Sequence, residues 1–231
     1  MKTRRNMAIL AAAGTGSRME SELPKQFMNL DGKPLAAYSL LLFERCPLID
    51  EIILVVSGAY LAYASSELVD KFGIKKIHKI TTGGETRQES VFAGLTACPP
   101  TSDIVVIHDA ARPLLTMDLL ERTMEKARET NAAILAVPAK ESMKLSDGEN
   151  VARTLKRHTV WIAQTPQAFR FEGILEAHRR AEEAEHEATD DSELYEKYGG
   201  KVAIVRGSYN NIKITAPADL ILAREILRGL K

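Results

Sequence analysis

The chain has 231 residues, its 31 basic and 31 acidic side chains cancel, and 45% of its residues are hydrophobic. This composition is typical of an ordinary globular protein, and the balanced charge excludes a global field that would attract nucleic acid or an anionic membrane. A polyanionic ligand must therefore be bound by a local cluster of cations. No stretch approaches the roughly 18 consecutive apolar residues of a membrane span, so we expect no contact with a membrane.

The two cysteines, Cys46 and Cys98, show neither metal-ligand spacing nor a pairing pattern. This usage fits a reducing cytosol, where both are expected to be small core residues. The N-terminal stretch MKTRRNMAILAAAG resembles a signal peptide, with basic residues before a short apolar run. Cleavage there would remove the glycine loop that follows, so we expect a cytoplasmic location.

The first strand and the loop after it are the strongest local signal. An apolar run, Met7 to Ala13, opens into Gly14-Thr15-Gly16-Ser17, which indicates a buried parallel strand entering a tight turn. Glycines allow backbone N–H groups to approach an anion, and two cations follow, Arg18 and Lys25. The stretch predicts a polyphosphate site; the alternative is a plain turn with charged surface residues.

Two familiar phosphate loops do not explain this stretch. The dinucleotide fingerprint needs a third glycine where Met19 stands, and an acidic residue where the second strand ends in Val55-Val56-Ser57. The P-loop needs a Lys-Ser/Thr pair after its last glycine, and Ser17-Arg18 follows here. The loop is therefore of another kind, and a NAD-dependent dehydrogenase is a poor candidate.

An alternation of strands and helices predicts a doubly wound, mainly parallel (Rossmann-like) α/β sheet in a single domain, residues 1–231. The predicted strands are Met7–Ala13, Glu51–Val56, Lys76–Thr81, Asp103–His108, Ala133–Val137, Thr159–Ala163, Val202–Val205 and Asn211–Thr215. The predicted helices are Pro34–Arg45, Ala59–Phe72, Arg87–Ala97, Met117–Thr130, Phe171–Glu187, Glu193–Tyr198 and Ala218–Leu230. Ligands of such sheets bind at the carboxyl ends of the strands. We therefore expect the loops at Gly14, Gly83 and Asp109 to converge.

The alternation is interrupted between residues 138 and 158, which we interpret as an extended arm. Asp147-Gly148, at the centre of the polar stretch from Ser142 to Leu155, predicts a two-stranded hairpin. An isolated hairpin is marginal in water, so it must pack on its own domain or on a second subunit. The residues leave both possibilities open. After the next strand, Gln164 to Gln167 is predicted to be a loop.

Asp109 is the main candidate for metal binding, because it follows an apolar strand directly. Magnesium typically takes one or two carboxylates and completes its shell with water and substrate phosphates. The alternative is a turn or a helix cap. His108 is expected to be a satisfied strand-end residue. Asp190-Asp191 could be a second carboxylate pair, although capping of the next helix by Asp191 or Ser192 is favoured.

Several segments, taken together and in order, resemble the motif set of the 2-C-methyl-D-erythritol 4-phosphate cytidylyltransferases of the non-mevalonate isoprenoid pathway. The segments are AAAGTGSRM, PKQF, GGETRQESV, HDAARP, QTPQAF, TDDSELYE and NIKIT-x-P-x-D. They extend from about Met7 to Leu227, and the ordered set is far more specific than any one motif. The related ribitol 5-phosphate cytidylyltransferases share much of the set and are the alternative.

The resemblance implies that CMP is transferred from CTP to methylerythritol 4-phosphate with Mg²⁺ as cofactor and release of pyrophosphate. It implies catalytic roles for Arg18, Lys25, Arg157 and Lys213, and a metal ligand in Asp109. The residues implied to bind the nucleotide are Ala12, Ala13, Gly14, Gly84, Arg87, Ser90, Asp109 and Ala110. Those implied to position the second substrate are Ser142, Arg157, Thr165 and Lys213. In this family the arm crosses between the subunits of a homodimer. Glu141-Ser142 departs from the family's usual Asp-Thr: the hydroxyl is kept and a methyl is lost.

The chemistry fits these residue types. A phosphate monoester is largely dianionic near neutrality, so the nucleophile needs no base, and none of the five histidines has a triad-like setting. The enzyme must supply alignment and positive charge. A non-catalytic binding module would need only the glycine loops, and the combination of four charged residues argues against it: Arg18, Lys25, Asp109 and Lys213.

Overall fold

The computed structural model describes residues 4–14 and 23–229 as an α/β fold, which confirms the predicted class. The strands are β1 (Arg5–Ala12), β2 (Asn29–Leu30), β3 (Lys33–Pro34), β4 (Glu51–Val56), β5 (Ile77–Thr82), β6 (Ser102–Asp109), β7 (Ala132–Pro138), β8 (Lys144–Ser146), β9 (Val151–Thr154), β10 (Trp161–Arg170) and β11 (Ala203–Arg206). The helices are α1 (Leu35–Arg45), α2 (Leu61–Tyr63), α3 (Arg87–Thr96), α4 (Met117–Thr130), α5 (Phe171–Glu183), α6 (Asp191–Lys197) and α7 (Pro217–Gly229).

Within the described residues, a seven-stranded sheet has the order β11-β7-β10-β6-β1-β4-β5. Its neighbours pair in parallel, except that β10 is antiparallel to both β6 and β7. The central strands are nearly continuous apolar runs because both faces of the sheet are covered. Side chains of α1 and α4 pack on one face, and those of α3 and α5 pack on the other. This two-sided cover is the doubly wound arrangement.

Three predicted elements are wrong or misplaced. Gln164–Gln167 lies inside β10, where the pairing with β7 shifts register between Ala163 and Gln167. A proline such as Pro166 is normally excluded from a central strand, and this irregularity accommodates it. Residues 211–215, which are all described, form no strand. The predicted helix after Ala59 is composite: α2 follows a 3-10 turn and continues as the π-helix Ala64–Asp70.

The predicted hairpin is present. Strands β8 and β9 pair antiparallel, and Gly148 takes a positive φ of 117° in the turn between them. Leu145 and Val151 stay exposed, by 46% and 60%. The arm therefore carries apolar side chains that its own subunit leaves uncovered.

Both cysteines lie in the core, as the sequence predicts. Cys46 and Cys98 are free thiols buried in the core, and burial raises the pKa of Cys98 to about 12. In the part of the chain that the structure describes, no helix has both the length and the apolar character needed to cross a bilayer.

Gly94 allows α3 to approach the sheet closely, which generates a stability prediction. A Cβ there would lie 2.7 Å from Cγ2 of Ile9 and 3.0 Å from Cγ2 of Val55. We expect Gly94→Ala to lower the free energy of unfolding by about 1–2 kcal/mol, because overpacking outweighs the better helix propensity of alanine. Gly229→Ala is the matched control, since a Cβ there meets nothing within 4 Å. Thermal melts check this; an unchanged melting temperature for Gly94→Ala would contradict it.

Candidate active site

A cavity of about 400 Å³ opens where the loops after β1, β5 and β6 meet, as the strand alternation predicts. The predicted site residues that line it are Ala12, Ala13, Gly14, Lys25, Gly84, Arg87, Ser90, Asp109 and Lys213. They come from the end of β1 and the residues directly after it, the 3-10 helix Lys25–Phe27, the glycine loop after β5, the start of α3, the end of β6 and the segment before α7. The volume lies in the range of small-molecule sites.

The second glycine loop packs directly against the first. A Cβ at Gly83 would lie 2.5 Å from both Cβ of Ala13 and Oγ of Ser90, so only glycine permits this approach. The Gly83 N–H donates to the carbonyl of Val56 at 2.8 Å, which continues the sheet into the loop. Helix α3 then begins with a capping box between Thr86 and Glu89. Its first turn lines the cavity, so the helix dipole favours an anion there.

Asp109 is paired with two cations at the cavity wall. Its Oδ1 lies 3.0 Å from Nε of Arg87, and its Oδ2 lies 2.7 Å from Nζ of Lys213. Burial raises the pKa of this carboxyl, but the charges of Arg87 and Lys213 outweigh burial and hold the pKa well below its usual range. The carboxylate is therefore ionised at neutral pH.

Arg87 is held on its far side by a second buried carboxylate. Its Nη2 lies 2.8 Å from Oδ2 of Asp191, whose Oδ1 lies 3.2 Å from Nε2 of His178. Burial raises the pKa of Asp191, yet the charge of Arg87 outweighs it and the net pKa falls. The same two carboxylates raise the pKa of Arg87 against the opposing effect of its own burial. Asp191 thus anchors Arg87.

Asp190 caps helix α6, which corrects the prediction of Asp191 or Ser192 as the capping residue. Its Oδ1 accepts the Glu193 N–H at 2.9 Å, and its Oδ2 accepts from Nε2 of Gln167 at 2.9 Å. Asp190 is therefore the capping residue, and the side chain of Asp191 contacts Arg87 instead. Among the described residues, no group of three or more His, Cys, Asp and Glu side chains could hold a metal ion.

Thr165 and Ala110 lie behind the cavity wall. The Thr165 hydroxyl accepts the Asp109 N–H at 3.1 Å and lies 2.9 Å from Nδ1 of His108. Nε2 of His108 donates to the Arg112 carbonyl at 3.1 Å, so in the neutral ring Nδ1 is an acceptor. The Thr165 hydroxyl therefore donates its hydrogen to Nδ1. Ala110 is buried, with its N–H donated to the Ala11 carbonyl at 3.0 Å. In this geometry both residues support Asp109.

Three predicted residues lie away from the cavity or outside the described ranges. Ser142 and Arg157 are exposed at the arm, where Nη1 of Arg157 donates to the Lys140 carbonyl at 3.1 Å. The structure of this subunit does not bring either side chain to the cavity wall. Arg18 lies outside the described residues.

The cavity is also lined by residues that the sequence analysis did not single out. These are Ala11, Gln26, Ser57, Glu85, Thr86, Ala111 and Thr215. Gln26 was available in the PKQF segment beside Lys25, and Thr215 in the T-x-P-x-D pattern. Thr215 donates its N–H and hydroxyl to Oδ2 of Asp219 at 2.7 and 2.9 Å, which fixes the start of α7. Ala111 was available in the HDAARP segment, and Ser57 directly follows the carboxyl end of β4.

The arrangement defines a class of protein. Described residues at the cavity wall supply three cations, two carboxylates (Asp109 and Glu85) and glycine-rich backbone, and none of them is a histidine or a cysteine. Such a site binds a polyphosphate and stabilises charge on a transferring phosphoryl group without a covalent nucleophile or an imidazole base. The fold and the site are those of a nucleotidyltransferase.

Comparison with known proteins gives the family. The sequence profile of 2-C-methyl-D-erythritol 4-phosphate cytidylyltransferase matches residues 6–229. The enzyme of that name from Alkaliphilus oremlandii is 42% identical over 221 residues, covering 95% of this chain and 94% of the relative. The one from Pelotomaculum thermopropionicum is 43% identical over 223 residues, covering 96% and 94%. The crystal structure of 4-diphosphocytidyl-2C-methyl-D-erythritol synthase from Anaerococcus prevotii has a TM-score of 0.87 at 33% identity, covering 97% and 96% of the two chains.

The chain belongs to the 2-C-methyl-D-erythritol 4-phosphate cytidylyltransferase family. This confirms the resemblance found in the ordered motifs. The names of the family and of these relatives specify methylerythritol phosphate, not ribitol phosphate.

The buried His108 predicts how stability depends on pH. Burial lowers its pKa to about 4 from an ordinary 6.5. Below pH 6.5 the His108 imidazole therefore binds a proton in the unfolded chain but not in the folded chain. The free energy of unfolding therefore decreases as the pH falls from 6.5 towards 4. The loss should approach about 1.4 kcal/mol per pH unit. Asp109 and Asp191, with lowered pKa values, lose their stabilising effect only below about pH 4.

Urea unfolding of wild type and His108→Gln between pH 4 and 8 tests this. The variant should show a clearly shallower slope between pH 4 and 6.5, and the two curves should run parallel above pH 7. Equal slopes in the lower window would show that His108 does not control this dependence.

Proposed function

We propose that this chain transfers CMP from CTP to 2-C-methyl-D-erythritol 4-phosphate, giving 4-diphosphocytidyl-2-C-methyl-D-erythritol and pyrophosphate, through the residues of the cavity described above. The observation that carries the proposal is that Lys25, Lys213 and the ionised Asp109 line one cavity with both glycine loops. A triphosphate needs such a combination of fixed cations and backbone donors.

The proposed mechanism uses charge and alignment. The acceptor's phosphate is already an anion, so it attacks the α-phosphorus without a base while pyrophosphate leaves. Lys25 stabilises the charge that develops on the α-phosphate, and Arg18 is assigned the same role from the family resemblance. Lys213 and Arg157 would orient the acceptor. The pairing of Lys213 with Asp109 supports this, because it holds the ammonium at the cavity wall before any substrate binds.

Magnesium is part of the proposal, with Asp109 as its protein ligand. An ionised carboxylate has about four lone-pair sites, and the pairs with Arg87 and Lys213 use one on each oxygen. One carboxylate suits a magnesium ion whose other ligands are phosphates and water, which agrees with the lack of a larger ligand cluster among the described residues. When bound, the ion would neutralise charge on the phosphates.

A homodimer built through the arm is also proposed. The support is a set of exposed apolar side chains: Leu145 and Val151 on the arm, Trp161 and Ile162 at the start of β10, and Ile204 on the edge strand β11. A hairpin that exposes such side chains is marginal unless another surface covers it. A second subunit would cover it and would bring Arg157, exposed at the base of the arm, to the partner's cavity.

We further propose that the protein works in the cytoplasm. The support is that Cys46 and Cys98 are free thiols buried in the core. Such cysteines are typical of a reducing compartment.

Lys25→Ala tests the transition-state role. Loss of one preorganised cation should lower kcat by roughly 10²–10³-fold and leave the KM for CTP within a few-fold. Lys33→Ala is the matched control, because Lys33 is exposed and its ammonium lies over the Tyr38 ring, 5.5 Å from the centroid. Pyrophosphate release under saturating substrates is the measurement. Normal turnover with only a raised KM would refute the role.

Mixed dimers test whether Arg157 acts across the interface. Lys25→Ala and Arg157→Ala subunits should each be inactive alone. After exchange in equal amounts, half the dimers are mixed, and one of their two sites holds both wild-type residues, so about a quarter of wild-type activity should return. No recovery despite proven subunit exchange would place Arg157 at the cavity of its own subunit, or away from both.

A further inference from the structure

The side chain of Gln26 ties the segment that carries Lys25 to the end of β1. Its Nε2 donates to the carbonyl of Ala12 at 2.6 Å and to the carbonyl of Gly14 at 2.9 Å. The side chain is almost fully buried, with 3% of the residue exposed. Only the nitrogen can face two carbonyl oxygens favourably, so the orientation of the amide is determined by its partners.

These two bonds join parts of the chain on either side of Arg18. Gly14 precedes Arg18 in the sequence, and Gln26 stands twelve positions after Gly14, on the 3-10 helix Lys25–Phe27. A single 3-10 turn has no rigidity of its own. The amide therefore fixes the position of this turn relative to the glycine backbone.

Phe27 completes the anchor. It is fully buried, with its ring centroid 5.2 Å from that of Tyr60 and 4.8 Å from that of Tyr63. The aromatic contacts hold the turn against α2, and the Gln26 amide holds it against β1. Lys25, on the same turn, lines the cavity together with Gln26.

We propose that Gln26 is a positioning residue for Lys25: it contributes to turnover by fixing where the Lys25 ammonium lies, and it does so through its bonds to Ala12 and Gly14. This inference rests on the proposed function, in which Lys25 stabilises the transition state. A displacement of about 1 Å in such a group can cost roughly 10²-fold in rate, so loss of the amide should be visible in kcat.

A double-mutant cycle tests the proposal, with kcat and both KM values measured for wild type, Gln26→Met, Lys25→Ala and the double variant. Methionine keeps the length of the side chain and removes the donor. We expect Gln26→Met to lower kcat roughly 10–100-fold with both KM values within about threefold. In the Lys25→Ala background the same substitution should change kcat by less than about threefold, because the group it positions is gone.

Gln88→Met is the matched control. The Gln88 amide also bridges two backbone groups, donating to the His186 carbonyl and accepting the Ala188 N–H, both at 2.9 Å. Both partners lie outside the active-site cavity. Gln88→Met removes the same kind of contact and should leave kcat within about twofold of wild type.

Each other outcome overturns a specific claim. An equal fold-loss from Gln26→Met with and without Lys25 would show that Gln26 acts independently of Lys25, and unchanged kcat in Gln26→Met would remove its role altogether. Unchanged kcat in Lys25→Ala would instead contradict the proposed function. If Gln26→Met does not fold, Gln26→Asn carries the same cycle, since its amide is one methylene shorter and cannot reach both carbonyls.

Discussion

The buried carboxylate of Asp109, held between Arg87 and Lys213, is the interaction on which the rest of the site depends. It joins three parts of the chain: the end of β6, the start of α3 and the segment before α7. Burial alone would favour the neutral acid, and the two cations reverse that preference. Without this negative charge between them, the cations of Arg87 and Lys213 at the cavity wall would repel each other.

Charges of alternating sign extend this interaction into the core. Arg87 donates to Asp109 from Nε and to Asp191 from Nη2, and Asp191 contacts His178. A buried charge is costly unless it is paired, so the second carboxylate lowers the cost of burying the Arg87 guanidinium beside the first. The guanidinium is thereby committed to protein partners. Of the described cations at the cavity wall, we propose that Lys25 and Lys213 contact the substrate and that the field of Arg87 acts on the cavity indirectly.

The sequence was sufficient wherever one physical pattern dominates a segment. β4 and α4 have their predicted bounds, because the first is an unbroken apolar run and the second has a clear amphipathic period. It was insufficient where local pattern and tertiary packing disagree. Residues 211–215 alternate like a strand, yet Ile214 is buried in a cluster with Leu220 and Ala223 of α7. Likewise, the capping position among Asp190, Asp191 and Ser192 is decided by the contact of Asp191 with Arg87, which no local rule contains.

The same reasoning explains how the two cavity lysines are held, although both lie outside the sheet and the α-helices. Lys213 follows Asn211, whose Nδ2 donates to the Thr165 carbonyl at 2.9 Å, and Nε2 of Gln164 donates to the Ser208 carbonyl at 2.8 Å. For the segment that carries Lys25, the corresponding buried amide is that of Gln26. Preorganised charge is effective only if it does not relax while charge moves in the reaction. A loop held by buried amides meets that condition, because a buried carbonyl that loses its donor finds no water to replace it. Lys213 stands on irregular backbone and Lys25 on a single 3-10 turn, and the buried amides supply the rigidity that a longer helix or a strand would have given.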